Sequence, residues 1–207
     1  MARHGRLDVL VSNAGTPGKS GPIDQLDAAQ WDRSFAILLR SVVLGAKHAA
    51  RVMKPQRSGA IISISSVAGL LAGATPHDYS TAKAAVIHFT KGIALELGEH
   101  GIRANAICPG YTRTPALLSG HGGGLQDAEA DREKVDRAFG VVHPIARAAT
   151  VDDIASMALF LASDEAAFVN GQAIAVDGGM TAGAHWSGHR ARMASIFEMA
   201  GGGTNSH

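Results

Sequence analysis

Near its start the chain reads Asp8-Val9-Leu10-Val11-Ser12-Asn13-Ala14-Gly15. The first four residues form a short, nearly continuous apolar run without the alternation of a half-exposed strand. Such a run is typical of a strand that is buried on both faces, as in a parallel sheet covered by helices. The polar and glycine residues that follow are typical of a turn. We therefore expect a buried strand over residues 8–11 that ends in a turn.

Further along the chain, apolar runs alternate with helical patterns. Strands are predicted over residues 60–64, 102–107 and 173–176, and helices over 26–53, 79–97 and 151–161. Thr150 is suited to cap the last of these helices. The alternation predicts an α/β fold with a parallel sheet and crossover helices. Ligands bind such sheets at the carboxyl ends of the strands.

The helix predicted over residues 79–97 has apolar side chains on two sides. One side carries Val86, Phe89, Ile93 and Leu97, and the other carries Ala84, Ile87 and Leu95. A helix that is apolar on two sides needs a packing partner for each. We therefore expect this helix to contact a second partner besides the sheet.

Composition limits the class of protein. The chain has 207 residues, of which 46% are hydrophobic, so we expect one domain over residues 1–207. Nineteen basic and eighteen acidic side chains give a net charge of +1, which predicts neither a nucleic-acid partner nor a membrane partner. The first residues show no signal-peptide pattern and Cys108 is the single cysteine, so a cytoplasmic location is expected. The ten histidines lack metal-ligand spacing, and no metal site is predicted.

The chemistry suggested by the sequence centres on Tyr79 and Lys83. Residues four apart lie on one face of a helix, so the phenol and the ammonium would share one patch of surface. A neighbouring cation favours the phenolate, so we expect the pKa of Tyr79 to move down toward neutral pH. A tyrosine of this kind can transfer protons in catalysis. Ser66 lies upstream, just beyond the second predicted strand.

Other motifs stand at the ends of the predicted strands. Asn13-Ala14-Gly15 follows the first strand, and the third is closed by Asn105-Ala106-Ile107-Cys108-Pro109-Gly110-Tyr111-Thr112-Arg113-Thr114. Each motif alone is compatible with an ordinary turn or loop. Together with Ser66 and Tyr79-x-x-x-Lys83, they resemble the short-chain dehydrogenase/reductase family, and the resemblance covers nearly the whole chain.

The resemblance implies a Rossmann-like fold and hydride transfer between NAD or NADP and a small secondary alcohol or ketone. It makes Tyr79 the proton donor or acceptor and gives Ser66 a hydrogen bond to the substrate oxygen. Lys83 would lower the pKa of Tyr79 and hold the nicotinamide ribose. The resemblance also implies a homodimer or homotetramer formed through the helix over residues 79–97. The cofactor-binding residues would be Asn13, Ala14, Gly15, Tyr79, Lys83, Pro109, Gly110, Tyr111, Thr112 and Thr114.

The sequence departs from the family at two places. The family's Thr-Gly-x-x-x-Gly-x-Gly turn, which surrounds the cofactor pyrophosphate, does not occur in the chain. The chain aligns from just before the family's fourth strand, so we expect the first three strands to be missing and dinucleotide binding to be weak. The alternative to an enzyme is an inactive remnant that pairs with full-length relatives. At the second place, Leu38 stands where the family has a catalytic asparagine.

Two segments are less regular. The resemblance gives residues 115–144, which include a charged helical stretch over 127–139, the role of a substrate lid, and a disordered insertion is the alternative. Residues 181–207 form a C-terminal tail. Its first part is expected to pack on a neighbour and its glycine-rich end to be loose.

Overall fold

The computed structural model describes residues 4–19, 21–73, 75–114, 132–183 and 185–200. They form one sheet of four parallel strands, confirming the predicted α/β fold. The order is β1-β2-β3-β4, so each strand lies beside the next one along the chain. The strands are β1 (Val9–Ser12), β2 (Gly59–Ile64), β3 (Ile102–Pro109) and β4 (Ala173–Val176).

Helices connect and follow these strands. They are α1 (Ala28–Phe35), α2 (Ser41–Gln56), α3 (His77–Gly98), α4 (Arg132–Gly140), α5 (Val151–Ala162) and α6 (Trp186–Met199). A π-helical segment, Ala36–Arg40, joins α1 to α2, so the long helix predicted over residues 26–53 is interrupted near its middle. Asp27 caps α1 by accepting from the backbone N–H groups of Ala29 and Gln30, which explains the later start.

Strand β2 is covered on both faces. Ile61 packs with α2 and α3 residues such as Met53 and Leu97, whereas Ile62 packs on the opposite face with Ile107 and Leu161. Successive side chains of a strand point to opposite faces, so neighbouring isoleucines serve two different cores. The covered middle of the sheet is therefore β2 and β3, with α2 and α3 on one face and α5 on the other.

Strand β1 differs from the prediction. It begins at Val9, and Val11 is 47% exposed, so the expectation of burial on both faces was wrong. Among the described residues β1 has only one neighbouring strand, and α5 packs on β2, β3 and β4. The apolar run correctly indicated a strand, but apolar character alone could not show which strand lies at the edge.

The burial of helix α3 also differs in part from the prediction. Val86 and Leu97 are buried as expected, but Ile87, assigned to the second side, is buried against Ala106 and Cys108 of the sheet. The remainder of that second side is open, with Leu95 80% exposed. The need for a second packing partner therefore rests on a narrower strip than the sequence indicated.

The remaining elements lie near the carboxyl terminus of the chain. Helix α4 matches the end of the predicted charged helix, whereas the rest of the lid, residues 115–131, lies outside the described residues. Thr150 forms a reciprocal capping box with Asp153 at the start of α5, as its position predicted. In the tail, α6 buries none of its residues, and residues 201–207 are not among those described. No helix of the described residues is long and apolar enough to cross a bilayer.

Candidate active site

The motif residues meet at one edge of the sheet. Asn13 directly follows β1, Ser66 lies two residues beyond β2, and Gly110 directly follows β3. The strands are parallel and in close register, with Ser12 opposite Ser63 and Ile64 opposite Ile107. Residues far apart in the sequence thus share the edge where parallel sheets bind ligands.

Three hydrogen bonds hold α3 against β2. Ser65 Oγ donates to the backbone carbonyl of Lys83 at 2.8 Å, and Lys83 Nζ donates to the carbonyl of Ile64 at 2.7 Å. Further along α3, Thr90 Oγ1 donates to Ser63 Oγ at 3.0 Å. Since all three bonds run between the helix and the end of one strand, the first turns of α3 have a fixed position beside Ser66.

Ser66 begins a short turn that packs on the backbone of α3. Its hydroxyl accepts from the N–H of Ala68 at 3.1 Å, and hydrogen bonding by its side chain acts to lower the pKa of Tyr79. A Cβ atom at Gly69 would lie 2.8 Å from the carbonyl carbon of Lys83, closer than side chains approach backbone. Glycine is therefore required there, and the absence of a side chain lets the turn that begins at Ser66 pack directly on the backbone of α3.

Burial dominates the electrostatics of the pair. Lys83 Nζ lies 5.6 Å from the centre of the Tyr79 ring, and burial lowers the pKa of Lys83 to about 8. Burial also raises the pKa of Tyr79, while its hydrogen bond with Ser66 acts in the opposite direction. The expectation that the pKa of Tyr79 moves down toward neutral pH was therefore wrong. The i, i+4 spacing brought the two groups together, but removal of the phenol from water has the larger effect.

The segment after β3 is fixed by its backbone. Gly110 N–H donates to the carbonyl of Val176 at 3.0 Å, and Arg113 N–H donates to that of Ala149 at 2.9 Å. Thr112 Oγ1 donates back to the carbonyl of Gly110 at 3.1 Å. The segment runs on to Thr114, the last described residue before the gap. Pro109, Gly110, Tyr111, Thr112 and Thr114 thus form one border at the carboxyl end of β3.

His143 supports this border and was missed in the sequence. It is 1% exposed, and its Nδ1 lies 2.7 Å from the carbonyl of Arg147, so this nitrogen donates. Its Nε2 then accepts from the N–H of Tyr111 at 3.3 Å, which requires the neutral ring. A Cβ at Gly110 would lie 3.0 Å from Nε2. Histidine spacing in a sequence can indicate metal ligands, whereas this histidine binds the backbone at Tyr111 and Arg147.

The end of β1 is more open. Asn13, Ala14 and Gly15 are all exposed, in contrast to Ser66 and Lys83. Beneath them, Leu38 is fully buried in the π-helical segment, and its Cδ2 lies 3.4 Å from where a Cβ of Gly15 would be. Leu38 is thus a packing residue in this chain, and π-helical turns inside helices often occur at functional sites.

Comparisons with known proteins agree with this arrangement. A family model described as Enoyl-(Acyl carrier protein) reductase matches residues 1–181. (+)-Borneol dehydrogenase 2 of Salvia officinalis is 42% identical over 188 residues, which cover 88% of this chain and 65% of that protein. The chain thus spans about two thirds of the length of this relative.

Two solved structures extend the comparison. One is an oxidoreductase of the short-chain dehydrogenase/reductase family from Burkholderia thailandensis, with 34% identity, a TM-score of 0.77, and coverage of 91% of this chain and 70% of that one. The other, a gluconate 5-dehydrogenase from Burkholderia cenocepacia J2315 in complex with NADP and tartrate, has 34% identity and a TM-score of 0.77, covering 88% and 68%. The motifs, the sheet and these similarities agree, and the chain belongs to the short-chain dehydrogenase/reductase family.

Proposed function

We propose that this chain is an NAD(P)-dependent oxidoreductase that interconverts a secondary alcohol and a ketone, with Tyr79 as the acid/base residue. The observation that carries the proposal is the meeting of Tyr79, Ser66 and Lys83 at the carboxyl ends of the strands. Hydrogen bonding by Ser66 acts to lower the pKa of Tyr79, and the lysine ammonium lies 5.6 Å from the tyrosine ring. General acid/base groups need this proximity before their pKa values matter.

The raised pKa of Tyr79 favours the role of proton donor at neutral pH. A phenol that stays protonated can donate to the oxygen of a ketone as negative charge develops there. Ser66 would donate a second hydrogen bond to that oxygen, as hydroxyl groups do in oxyanion sites. Lys83, with a pKa of about 8, is mostly charged at pH 7 and stabilises the phenolate that forms when the proton leaves.

The residues fit the nicotinamide end of a dinucleotide. Lys83 uses one N–H for the carbonyl of Ile64, and an ammonium carries three donors. The backbone-fixed segment from Pro109 to Thr114 borders the same space. NAD or NADP would supply or accept the hydride there. For the pyrophosphate, the family's Thr-Gly-x-x-x-Gly-x-Gly sequence does not occur in the 207 residues.

Turnover of a secondary alcohol tests the proposal. Since (+)-borneol dehydrogenase 2 is a relative, (+)-borneol is the first probe, offered with NAD⁺ and with NADP⁺ while the absorbance of the reduced nicotinamide is followed. We expect Tyr79→Phe, which keeps the ring and removes the transferable proton, to lower turnover by roughly two to four orders of magnitude. Thr81→Ala removes an exposed hydroxyl two residues away and serves as the matched control. Near-normal turnover by Tyr79→Phe would contradict the assignment.

A second candidate function follows from the open faces of the chain. Val11 on β1 is 47% exposed and Leu95 on α3 is 80% exposed. An edge strand presents unpaired backbone groups, and an apolar helix strip favours association. The chain would then act by pairing, either with a second copy through α3, as a homodimer or homotetramer, or with a longer relative while itself inactive. Sedimentation that shows only monomers, or turnover by isolated monomers, would count against this candidate.

A further inference from the structure

Asp78, the second residue of α3, is a carboxylate that is only 5% exposed. Its Oδ2 accepts from Ser34 Oγ on α1 at 2.5 Å and from the N–H of Lys19 at 3.1 Å. Its Oδ1 accepts from the N–H of Tyr79 at 2.8 Å. These neutral donors and the helix N-terminus stabilise a charge that would be costly to bury alone. One side chain thus joins three separate parts of the chain.

The loop that Asp78 binds packs directly on Tyr79. Gly18 has φ +79°, and a Cβ there would lie 2.7 Å from Asp78 Oδ1 and 3.0 Å from the Cβ of Tyr79. The same loop begins at Asn13, at the end of β1. The backbone at Gly18 therefore restricts the space around the base of the tyrosine side chain, and the carboxylate keeps it there.

We propose that Asp78 is a positioning residue for Tyr79, because its carboxylate holds the loop over residues 13–19 and helix α1 against the first turn of α3 and so directs the phenol toward Ser66. The inference rests on the proposed role of Tyr79 as the acid/base residue. Asp78 itself contacts neither substrate nor cofactor in this account. Asp78 affects turnover only by setting the orientation and the burial of the tyrosine ring.

Ionisation of Tyr79 can be measured without substrate or cofactor. The chain has two tyrosines, so in a Tyr111→Phe background the ultraviolet absorbance of phenolate reports on Tyr79 alone. In that parent we expect a midpoint above the ordinary value of 10, since burial raises the pKa of Tyr79. Far-ultraviolet circular dichroism at each pH shows that the chain is still folded.

Gly18→Ala is the decisive variant, because it displaces the loop without changing any charge. We expect the Tyr79 midpoint to fall toward its ordinary value as the phenol gains water. The matched control is Gly171→Ala. Gly171 has a similar φ of +70°, but its Cβ would meet only Ala94 Cβ at an ordinary 3.6 Å, before β4 at the opposite end of the sheet. The control therefore reproduces the backbone strain and should leave the midpoint unchanged.

Asp78→Asn and Asp78→Ala test the carboxylate itself. Asn keeps one acceptor oxygen, so we expect it to retain part of the turnover that Ala loses, with the loss in kcat roughly ten- to hundredfold for a displaced acid. If Gly18→Ala does not fold, Ser34→Ala decides, since it removes one hydrogen bond and keeps the charge; it should shift the midpoint in the same direction by less.

The two proposals fail in different ways. A folded Gly18→Ala or, in its place, Ser34→Ala with the parent's Tyr79 midpoint would overturn the positioning role, whatever the turnover. Normal turnover by Tyr79→Phe would overturn the acid/base role, whatever the titration. A Tyr79 midpoint that falls in Gly18→Ala and not in Gly171→Ala supports the positioning role of Asp78.

Discussion

Val11 and Ile62 are directly paired neighbours in the sheet, yet their surroundings differ. Val11 on β1 is 47% exposed, whereas Ile62 on β2 is 1% exposed. The same contrast continues past the ends of the two strands. Asn13, Ala14 and Gly15 are exposed, while Ser66 is almost completely buried against α3. The residues proposed for proton transfer therefore stand on the covered part of the sheet. Asn13, Ala14 and Gly15, which the family resemblance makes cofactor-binding residues, stand on its open edge.

This contrast separates the two tasks of a dehydrogenase. Proton transfer needs groups held to fractions of an ångström, and β2 with α3 provides that through three hydrogen bonds and a close glycine contact. Tight dinucleotide binding in the family uses a glycine-rich turn at a helix N-terminus, and the Thr-Gly-x-x-x-Gly-x-Gly sequence of that turn does not occur in the 207 residues. On the proposed function, the groups for proton transfer are therefore held more firmly than the exposed residues expected to bind the cofactor.

The largest expected effect is on stability at the paired positions. Ile62→Ala leaves a cavity between β2 and α5 and should lower the free energy of unfolding by about 2 to 5 kcal/mol. Val11→Ala removes side-chain atoms that are already half in water, so it should cost less than about 1 kcal/mol. Urea unfolding of both variants measures the difference. Equal losses would mean that β1 is covered as well as β2 in solution.

Glycine substitutions at the two strand ends sharpen the contrast. Gly69→Ala places a Cβ 2.8 Å from the backbone of Lys83, and overpacking of this kind costs about 1 to 3 kcal/mol. In Gly15→Ala the new Cβ would lie 3.4 Å from Leu38 Cδ2 and 3.9 Å from the carbonyl oxygen of Asn13, which are ordinary contacts, so its stability should stay within about 0.5 kcal/mol of the parent. Thermal unfolding compares the two. A Gly15→Ala variant less stable than Gly69→Ala would contradict the conclusion that the end of β2 is packed more tightly than the end of β1.

The buried Lys83 predicts a smaller, pH-dependent effect. Its pKa is about 8 in the folded chain and 10.5 ordinarily, so between these values the unfolded chain binds more protons and stability rises with pH. This contribution is present above 10.5 and is lost as the pH falls through 8. From pH 7 to 9 it amounts to about 1 kcal/mol.

Lys83→Met should remove this rise in stability and Lys91→Met should keep it, because Lys91 is an exposed lysine on the same helix. Urea unfolding at both pH values measures the slope for the parent and the two variants. Identical slopes in all three proteins would show that Lys83 is not desolvated.

Much of the architecture was predictable because it depends on local patterns. Strand β4 has the predicted bounds, and Thr150 caps α5, since apolar runs and capping residues act over a few positions. The meeting of Ser66 with Tyr79 and Lys83 followed from parallel strands whose carboxyl ends share an edge. Family motifs at three strand ends then indicated the kind of site.

The features that sequence could not provide depend on distant contacts. Asp78 binds Ser34 and Lys19, which are 44 and 59 positions away, and His143 binds Tyr111 across 32 positions. The predicted direction of the Tyr79 pKa shift was wrong for the same reason, since the shift depends on how completely the ring is buried. The π-helical segment around Leu38 likewise has no local signal in the apolar pattern.

Binding of half a cofactor is the most direct test of the contrast between the two strand ends. We would titrate the purified 207-residue chain by calorimetry with NADH, NADPH and reduced nicotinamide mononucleotide, which lacks the adenylate half. If the chain provides contacts only for the nicotinamide half of the cofactor, all three compounds should bind with dissociation constants within about threefold of one another, in the range of roughly 0.1 to 1 mM. NADH or NADPH binding more than about tenfold tighter than the mononucleotide, a difference of about 1.4 kcal/mol, would contradict the account, as would no binding of the mononucleotide.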